Sequence, residues 1–188
     1  MIGPEPAGPF ATLDSPLFLR EADLGPREQA LWAAQLRAEA LFASVVDGGL
    51  IRPGVSESEL SDEVHALARK MFGFKRHWHR RVVRSGPNTV MTYYDDPPDR
   101  RLEADDILFL DFGPVFEGWE ADLGRTYVLG SDVRKHRLAA DIEQTFRRGQ
   151  ELYESDPNLT AGALYDYVAG LATAAGIPAR FPPRCPRR

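Results

Sequence analysis

Apolar positions recur at helical spacing in two pairs of segments. The first segment runs from Pro26 to Val46, and the second begins with a capping box formed by Ser56 and Glu59 and ends at Gly73. Leu31 in the first helix and Met71 in the second are predicted to lie on the buried faces. Two further helices are predicted near the C-terminal end, over about 133–154 and 160–175.

Between these helix pairs the pattern changes to short apolar runs typical of strands. Two runs, around Val82 and Met91, flank the turn-forming residues SGPN. A longer pair of runs spans Asp106 to Gly130 and predicts a β-hairpin. Strands placed between helix pairs indicate an α+β fold in which helices cover an antiparallel sheet.

Three regions are predicted along the chain. Residues 1–25 are rich in Pro, Gly and Ala and predict an extended lead-in, whereas residues 26–176 hold all the periodic segments and predict the folded domain. Residues 177–188 form a Pro/Arg-rich tail without periodicity. A disordered basic tail and an altered end of a longer protein are both consistent with that composition.

Composition and charge narrow the functional classes. The 188 residues are 43% apolar and 27% charged, and the net charge of -5 offers no general reason to bind nucleic acid or an anionic membrane. Cys185 is the single cysteine and cannot form an internal disulfide, which favours a cytoplasmic location. No apolar run approaches the roughly 18 residues of a membrane span, so no membrane partner is expected.

Two carboxylates, Asp111 and Asp122, lie inside the apolar runs of the hairpin. An ionised carboxylate removed from water costs several kcal/mol unless it is paired or bound to a metal. A turn at Glu117-Gly118 would place Asp111 opposite Gly124 and Asp122 opposite Gly113, with both carboxylates on one face about 5 to 8 Å apart. The resulting hollow, free of bulky side chains, suits a divalent cation.

A purely structural interpretation competes with the metal site. Arg125 follows Asp122 closely and could neutralise it, and a bulge or longer loop in the turn would change the register. On the residues alone, both interpretations stay open.

The string DFGPVFEGWEADLGRT resembles the central metal-binding hairpin of the pita-bread metallopeptidases, which include methionine aminopeptidase, aminopeptidase P, prolidase and creatinase. In that family a strand Asp is followed eleven residues later by a second Asp that leads into a Thr-containing strand, as Asp111, Asp122 and Thr126 are arranged here. The segments IRPGVSESEL and ADDILFLDFG also resemble the family, and the resemblance covers about residues 26–176.

This resemblance implies a pita-bread fold and a hydrolase most similar to Xaa-Pro aminopeptidase and prolidase. Asp111 and Asp122 would be metal ligands, with Thr126 in a supporting position. The implied cofactor is a divalent metal, normally two ions of Mn, Co, Fe or Zn, and the implied reaction is peptide cleavage by a metal-activated water.

The chain departs from the family pattern before the hairpin. The family has a His shortly before the first Asp, where this chain has Tyr93 or Tyr94, and Tyr94 is assigned a supporting role. Further upstream, His77 and His79 in the segment RHWHRR would share one side of a strand and are predicted as catalytic residues. A solvated basic edge is the alternative for this segment.

The chain also departs from the family pattern after the hairpin. The family's remaining ligands, one His and two Glu, lie on later strands, but no His follows His136 here and no Glu follows Glu154. We therefore expect a truncated first part of the family domain that is inactive as given. The alternative is a non-catalytic binding or assembly module of the same fold, and an exposed apolar face would permit a homodimer.

Overall fold

The computed structural model describes residues 25–176, which form two compact units that divide after Gly130. Except for Gly25, the predicted lead-in and tail lie outside the described residues, and the predicted domain bounds of 26–176 stay a prediction. The first unit contains helices α1 and α2, a short 3-10 helix and five strands. In chain order these are α1 Pro26–Asp47, α2 Glu57–Phe72, β1 Val82–Ser85, the 3-10 helix Gly86–Val90, β2 Ile107–Phe112, β3 Val115–Phe116, β4 Trp119–Glu120 and β5 Leu123–Val128.

The second unit is a pair of helices, α3 Val133–Ser155 and α4 Ala161–Ala174. Gly149 allows close packing between them, because a Cβ at that position would lie 3.0 Å from Cγ2 of Val168. Both helices begin at side-chain caps, Asp132 for α3 and Thr160 for α4.

The sheet of the first unit is antiparallel, with strand order β1-β2-β5. Beyond β2 and β5, the short strands β3 and β4 continue the same hairpin to its turn. Glu117 and Gly118 at the turn both have positive φ, 54° and 92°, as hairpin turns that match strand twist require. Asp111 pairs with Gly124, and Phe116 pairs with Trp119, which confirms the predicted turn and register.

The two faces of the sheet have different environments. Along β2, Leu108, Leu110 and Phe112 are fully buried, whereas Ile107, Phe109 and Asp111 are partly exposed. The buried face packs on the helices into one core, which includes the following residues: Ala38, Leu41, Phe42, Val45, Leu60, Val64, Ala68, Val83 and Leu123. The α+β architecture therefore leaves one sheet face available for polar groups.

Most of the predicted elements are present, including the capping box. The Ser56 hydroxyl accepts from the Glu59 N–H, and the Glu59 carboxylate accepts from the Ser56 N–H. The strand predicted around Met91 is wrong, because Pro87 fits the first turn of the 3-10 helix Gly86–Val90 and Met91 follows it with an exposed side chain. Leu31 and Met71, predicted on the buried helix faces, are also exposed.

A buried carboxylate joins α2 to the end of β1. Glu57 accepts hydrogen bonds from the Ser85 N–H at 2.6 Å and the Ser85 hydroxyl at 2.8 Å, and its other oxygen accepts from Nδ2 of Asn88 at 2.9 Å. Arg100 donates both to the Ser85 hydroxyl and to Asp106. This network fixes the 3-10 helix against the start of α2.

We expect Glu57→Ala to lower the free energy of unfolding by about 2 to 4 kcal/mol, because it leaves several buried donors without an acceptor. Urea denaturation measures this loss. Glu63→Ala, on the same helix, removes an exposed ion pair with Arg52 and is the matched control, with little expected cost. Equal effects of the two substitutions would contradict a structural role for the Glu57 network.

Candidate metal centre

Three potential ligands meet at the partly exposed face of the sheet. Asp111 lies near the end of β2, Asp122 immediately precedes β5, and His79 comes from the segment before β1. One ligand atom from each residue lies within 4.8 Å of the others. The expectation that both carboxylates share one face is met, because the register places Asp111 opposite Gly124, two residues beyond Asp122.

The imidazole of His79 has a defined orientation. Its Nδ1 lies 2.7 Å from the carbonyl oxygen of Arg80, and a carbonyl can only accept, so Nδ1 carries the proton. Its Nε2 lies 3.5 Å from Oδ1 of Asp122 and 3.7 Å from Oδ1 of Asp111. The His79 side chain is only 11% exposed.

Backbone pairing holds the His79 segment against the hairpin. The Trp78 N–H donates to the Gly113 carbonyl at 2.9 Å, and the Val115 N–H donates to the Arg76 carbonyl at 3.1 Å. The Trp78 indole N–H also donates to the Ala121 carbonyl at 2.9 Å. The segment is therefore attached both to the strand that follows Asp111 and to the residue that precedes Asp122.

Gly113 is required by the close approach of this segment. A Cβ at that position would lie 2.3 Å from Cδ2 of His79 and 2.5 Å from its Nε2. At Gly124 a Cβ would meet only the Leu110 carbonyl, at 3.6 Å. The predicted hollow is thus corrected at one corner: the imidazole of His79 fills the space that Gly113 leaves, and the space beside Gly124 stays open.

The two carboxylates have different environments. Burial raises the pKa of Asp111, the nearby His79 partly lowers it, and the neighbouring Asp122 raises it again. The Asp122 side chain is 62% exposed. Arg125, the alternative partner considered for Asp122, pairs with Leu110 in the sheet, so its side chain leaves the opposite face.

The distances from Nε2 of His79 to the two carboxylates fit one shared cation. Atoms bonded to one ion at about 2.0–2.2 Å lie roughly 3.0–3.4 Å apart in octahedral or tetrahedral arrangements. The Nε2–oxygen distances of 3.5 and 3.7 Å are close to that spacing. Two carboxylate oxygens and one imidazole nitrogen form a donor set that divalent transition metals accept.

His77 does not join this group, contrary to the expectation that it shares a side with His79. The chain at 76–79 is not a regular strand, so the alternation of side chains does not hold. His77 instead packs against Phe74, Phe112 and His65, with ring centroids 4.8, 5.6 and 5.5 Å away. Its Nδ1 is buried without a hydrogen-bond partner.

The two predicted supporting residues lie in different places. Thr126 pairs with Phe109 and shares its sheet face with Gly124 and Asp122. The Tyr94 side chain is 91% exposed and stacks edge-on with Tyr93 at 5.4 Å. Tyr93, not Tyr94, contacts Arg80, whose guanidinium lies 5.1 Å from the Tyr93 ring centroid.

Sequence reasoning missed the residues that position His79. Trp78, Gly113 and the Arg80 carbonyl all act through backbone or packing geometry, which side-chain type does not reveal. Gly113 was the one available signal, because a glycine inside a strand often marks close approach of another segment.

Comparison with known proteins gives both a family and a fold. A model of metallopeptidase family M24 matches residues 29–185. The chain is 22% identical over 139 residues to an Xaa-Pro dipeptidase of Lactobacillus helveticus, covering 74% of this chain and 37% of that protein. It is 25% identical over 132 residues to an Xaa-Pro dipeptidase of Pyrococcus furiosus, covering 70% and 36%. The chain thus spans little more than a third of these relatives.

Solved structures with similar folds include an X-Pro aminopeptidase from Thermotoga maritima, with a TM-score of 0.69, 19% identity and coverage of 79% of this chain and 41% of that one. An Xaa-Pro dipeptidase from Bacillus anthracis has a TM-score of 0.68, 24% identity and coverage of 81% and 42%. The predicted pita-bread fold is confirmed over the part of those chains that is matched.

None of the helices within residues 25–176 is long and apolar enough to cross a membrane.

The environment of His77 predicts an acid-sensitive stability. Burial lowers the pKa of His77 to about 4, and Arg81 contributes. The unfolded chain takes up a proton at this residue below about pH 6.5, whereas the folded chain does so only near pH 4. The unfolded state therefore binds more protons in this window, and stability is lost as the pH falls through it, by up to about 3 kcal/mol.

We expect His77→Phe to reduce this loss, because phenylalanine suits the aromatic surroundings and does not titrate. Urea denaturation of both proteins at pH 7 and pH 4.5, followed by tryptophan fluorescence, compares the two losses. All three tryptophans, Trp32, Trp78 and Trp119, lie in the first unit and report its unfolding. Identical pH dependence in both proteins would contradict a neutral buried His77.

Proposed function

We propose the function of this chain from the premise that it belongs to metallopeptidase family M24. We propose that it forms part of a metal-dependent hydrolase of the Xaa-Pro peptidase type, with a peptide as substrate. The names of its relatives support this class. The hairpin that carries Asp111, Asp122 and Thr126 also has the spacing of the family's metal-binding hairpin. A cytoplasmic location remains part of the proposal.

The observation that carries the proposal is the convergence of Asp111 and Asp122 on one sheet face with their oxygens beside a third potential ligand. We assign both carboxylates as ligands of a divalent metal, with Mn, Co, Fe and Zn as the candidate ions. Such an ion supplies Lewis acidity and lowers the pKa of a coordinated water.

The chain's own residues perform the binding and orientation. The paired strands β2 and β5 hold the two carboxylates at a fixed separation, since the register has no freedom once the turn and core are formed. Ile107 and Phe109, partly exposed on the same face, supply an apolar surface beside the carboxylates. Thr126 lies on that face next to the open space at Gly124.

Three donors do not complete a two-metal centre. The described residues contain one group of at least three potential ligands, and its members are His79, Asp111 and Asp122. Hydrolysis by paired ions needs both ions held rigidly, with the reacting groups aligned. We therefore propose that the 188-residue chain binds metal but has no appreciable peptidase activity.

The incomplete ligand set also favours a second candidate function, a non-catalytic binding or assembly module of the same fold. Its partner would contact the sheet face that carries Phe109 and Thr126. A second copy of the chain is the simplest such partner, and it would bring another pair of carboxylates.

Metal titration tests the assignment of the carboxylates. We expect Asp111→Asn and Asp122→Asn each to weaken Mn²⁺ binding at least about tenfold, because each removes a charged ligand. Asp122→Asn should change stability little in metal-free buffer, since the side chain is largely exposed and its loss relieves repulsion with Asp111. Asp62→Asn, an exposed carboxylate of α2, is the control. Unchanged binding in both site variants would reject the site.

Turnover assays test the predicted inactivity. Purified chain is incubated with Xaa-Pro and Met-Xaa peptides while Mn²⁺, Co²⁺ and Zn²⁺ are supplied in turn, and we expect no release above the Asp111→Asn control. Metal-dependent turnover that disappears in Asp111→Asn would show that these residues suffice for catalysis, contrary to the proposal.

A further inference from the structure

We propose that Nε2 of His79 is a third ligand of the cation bound by Asp111 and Asp122, and that it makes the site prefer transition-metal ions to Mg²⁺ and Ca²⁺. This inference rests on the proposed function and deepens it. It assigns His79 as a ligand in place of the catalytic role expected from the sequence.

The first step of the argument is the tautomer of His79. The Arg80 carbonyl takes the Nδ1 proton, so in the neutral imidazole the lone pair of Nε2 faces Asp111 and Asp122. A lone pair opposite two carboxylate oxygens is repulsive unless a positive charge lies between them. That charge is either a proton, carried by Nε2 or by a carboxylate oxygen, or a metal ion.

The distances favour the metal ion over the proton. An N–H donor bonded to a carboxylate lies about 2.7–3.2 Å from the oxygen. Here Nε2 is 3.5 Å from one oxygen and 3.7 Å from the other, too far for either direct hydrogen bond. The separations are closer to those of atoms that share one ion than to those of an imidazolium paired with its acceptors.

The second step is preorganisation. The imidazole is almost fully buried, the Trp78 ring meets it edge-on at 4.4 Å, and Gly113 leaves the space that it occupies. Both neighbours are themselves fixed by the backbone bond from Trp78 to Gly113. The nitrogen is therefore in position before an ion arrives, which is typical of ligands held by supporting contacts.

The third step is the chemistry of the donor. Two carboxylates alone suit hard cations such as Mg²⁺ and Ca²⁺, which prefer oxygen ligands. An imidazole nitrogen adds affinity for Zn²⁺, Co²⁺ and similar ions but adds little for Mg²⁺. His79 is thus the residue in this group that would determine the choice of metal.

The test is a comparison of Co²⁺ and Mg²⁺ binding in the wild-type chain, His79→Gln and Gly113→Ala, measured by calorimetry. We expect both variants to lose at least about tenfold in Co²⁺ affinity and to change Mg²⁺ affinity by less than about twofold. Gly113→Ala leaves all three ligands in the chain and displaces the imidazole together with the neighbouring Trp78 indole, because its Cβ would lie within 2.5 Å of both side chains. Gly170→Ala, where a Cβ meets nothing within 4 Å, is the matched control.

A spectroscopic measurement makes the test independent of folding effects. Pulsed EPR of bound Mn²⁺ in the wild-type chain should show coupling to an imidazole nitrogen, and the coupling should be absent in His79→Gln. Circular dichroism verifies that the variants are folded.

The outcomes separate this inference from the proposed function. If His79→Gln binds Co²⁺ as tightly as the wild-type chain, His79 is not a ligand. The same conclusion follows if the wild-type chain shows no nitrogen coupling. In both cases the assignment of the two carboxylates stands. If Asp111→Asn also leaves binding unchanged, the proposed metal site itself fails.

Discussion

The register of one β-hairpin determines where Asp111 and Asp122 lie, and the rest of the site is built around them. Glu117 and Gly118 form a turn with two positive φ angles, and that turn fixes which residues of β2 and β5 face each other. A slip of one residue would move Asp111 into the core and a leucine to the surface. The buried face of β2 opposes such a slip, because Leu110 and Phe112 are fully buried on it. Core packing and ligand placement therefore depend on the same constraint.

The segment that carries His79 adds a second constraint, because it contacts the hairpin from a distant part of the sequence. Its backbone pairs with Gly113 and Val115, and the Trp78 indole N–H donates to the Ala121 carbonyl, so the segment contacts both arms of the hairpin. The charge of the site follows from this packing. Asp111 is partly buried by its neighbours, which raises its pKa, and the only polar groups that the described contacts bring to it are His79 and Asp122.

The sequence predicted the parts of this arrangement that follow from local periodicity. The helices, the capping box at Ser56, the turn and the pairing of Asp111 with Gly124 all depend on alternation or short-range spacing. Two of the expectations that failed depend on irregular backbone. His77 and His79 separate because residues 76–79 are not a strand, and Met91 follows a 3-10 helix fixed by Pro87 and Glu57. Neither backbone path is readable from residue type, because tertiary hydrogen bonds decide it.

The three proposed ligands come from separate segments of the chain, so the proposed metal binding is linked to folding. In the unfolded chain His79, Asp111 and Asp122 are independent, so only the folded hairpin offers the complete group. A ligand that binds only the folded state, present at one hundred times its Kd, adds about 2.7 kcal/mol to stability. Without the ion, the hairpin must bring two carboxylates together against their repulsion. Folding of the hairpin and binding of the proposed metal ion are therefore thermodynamically coupled.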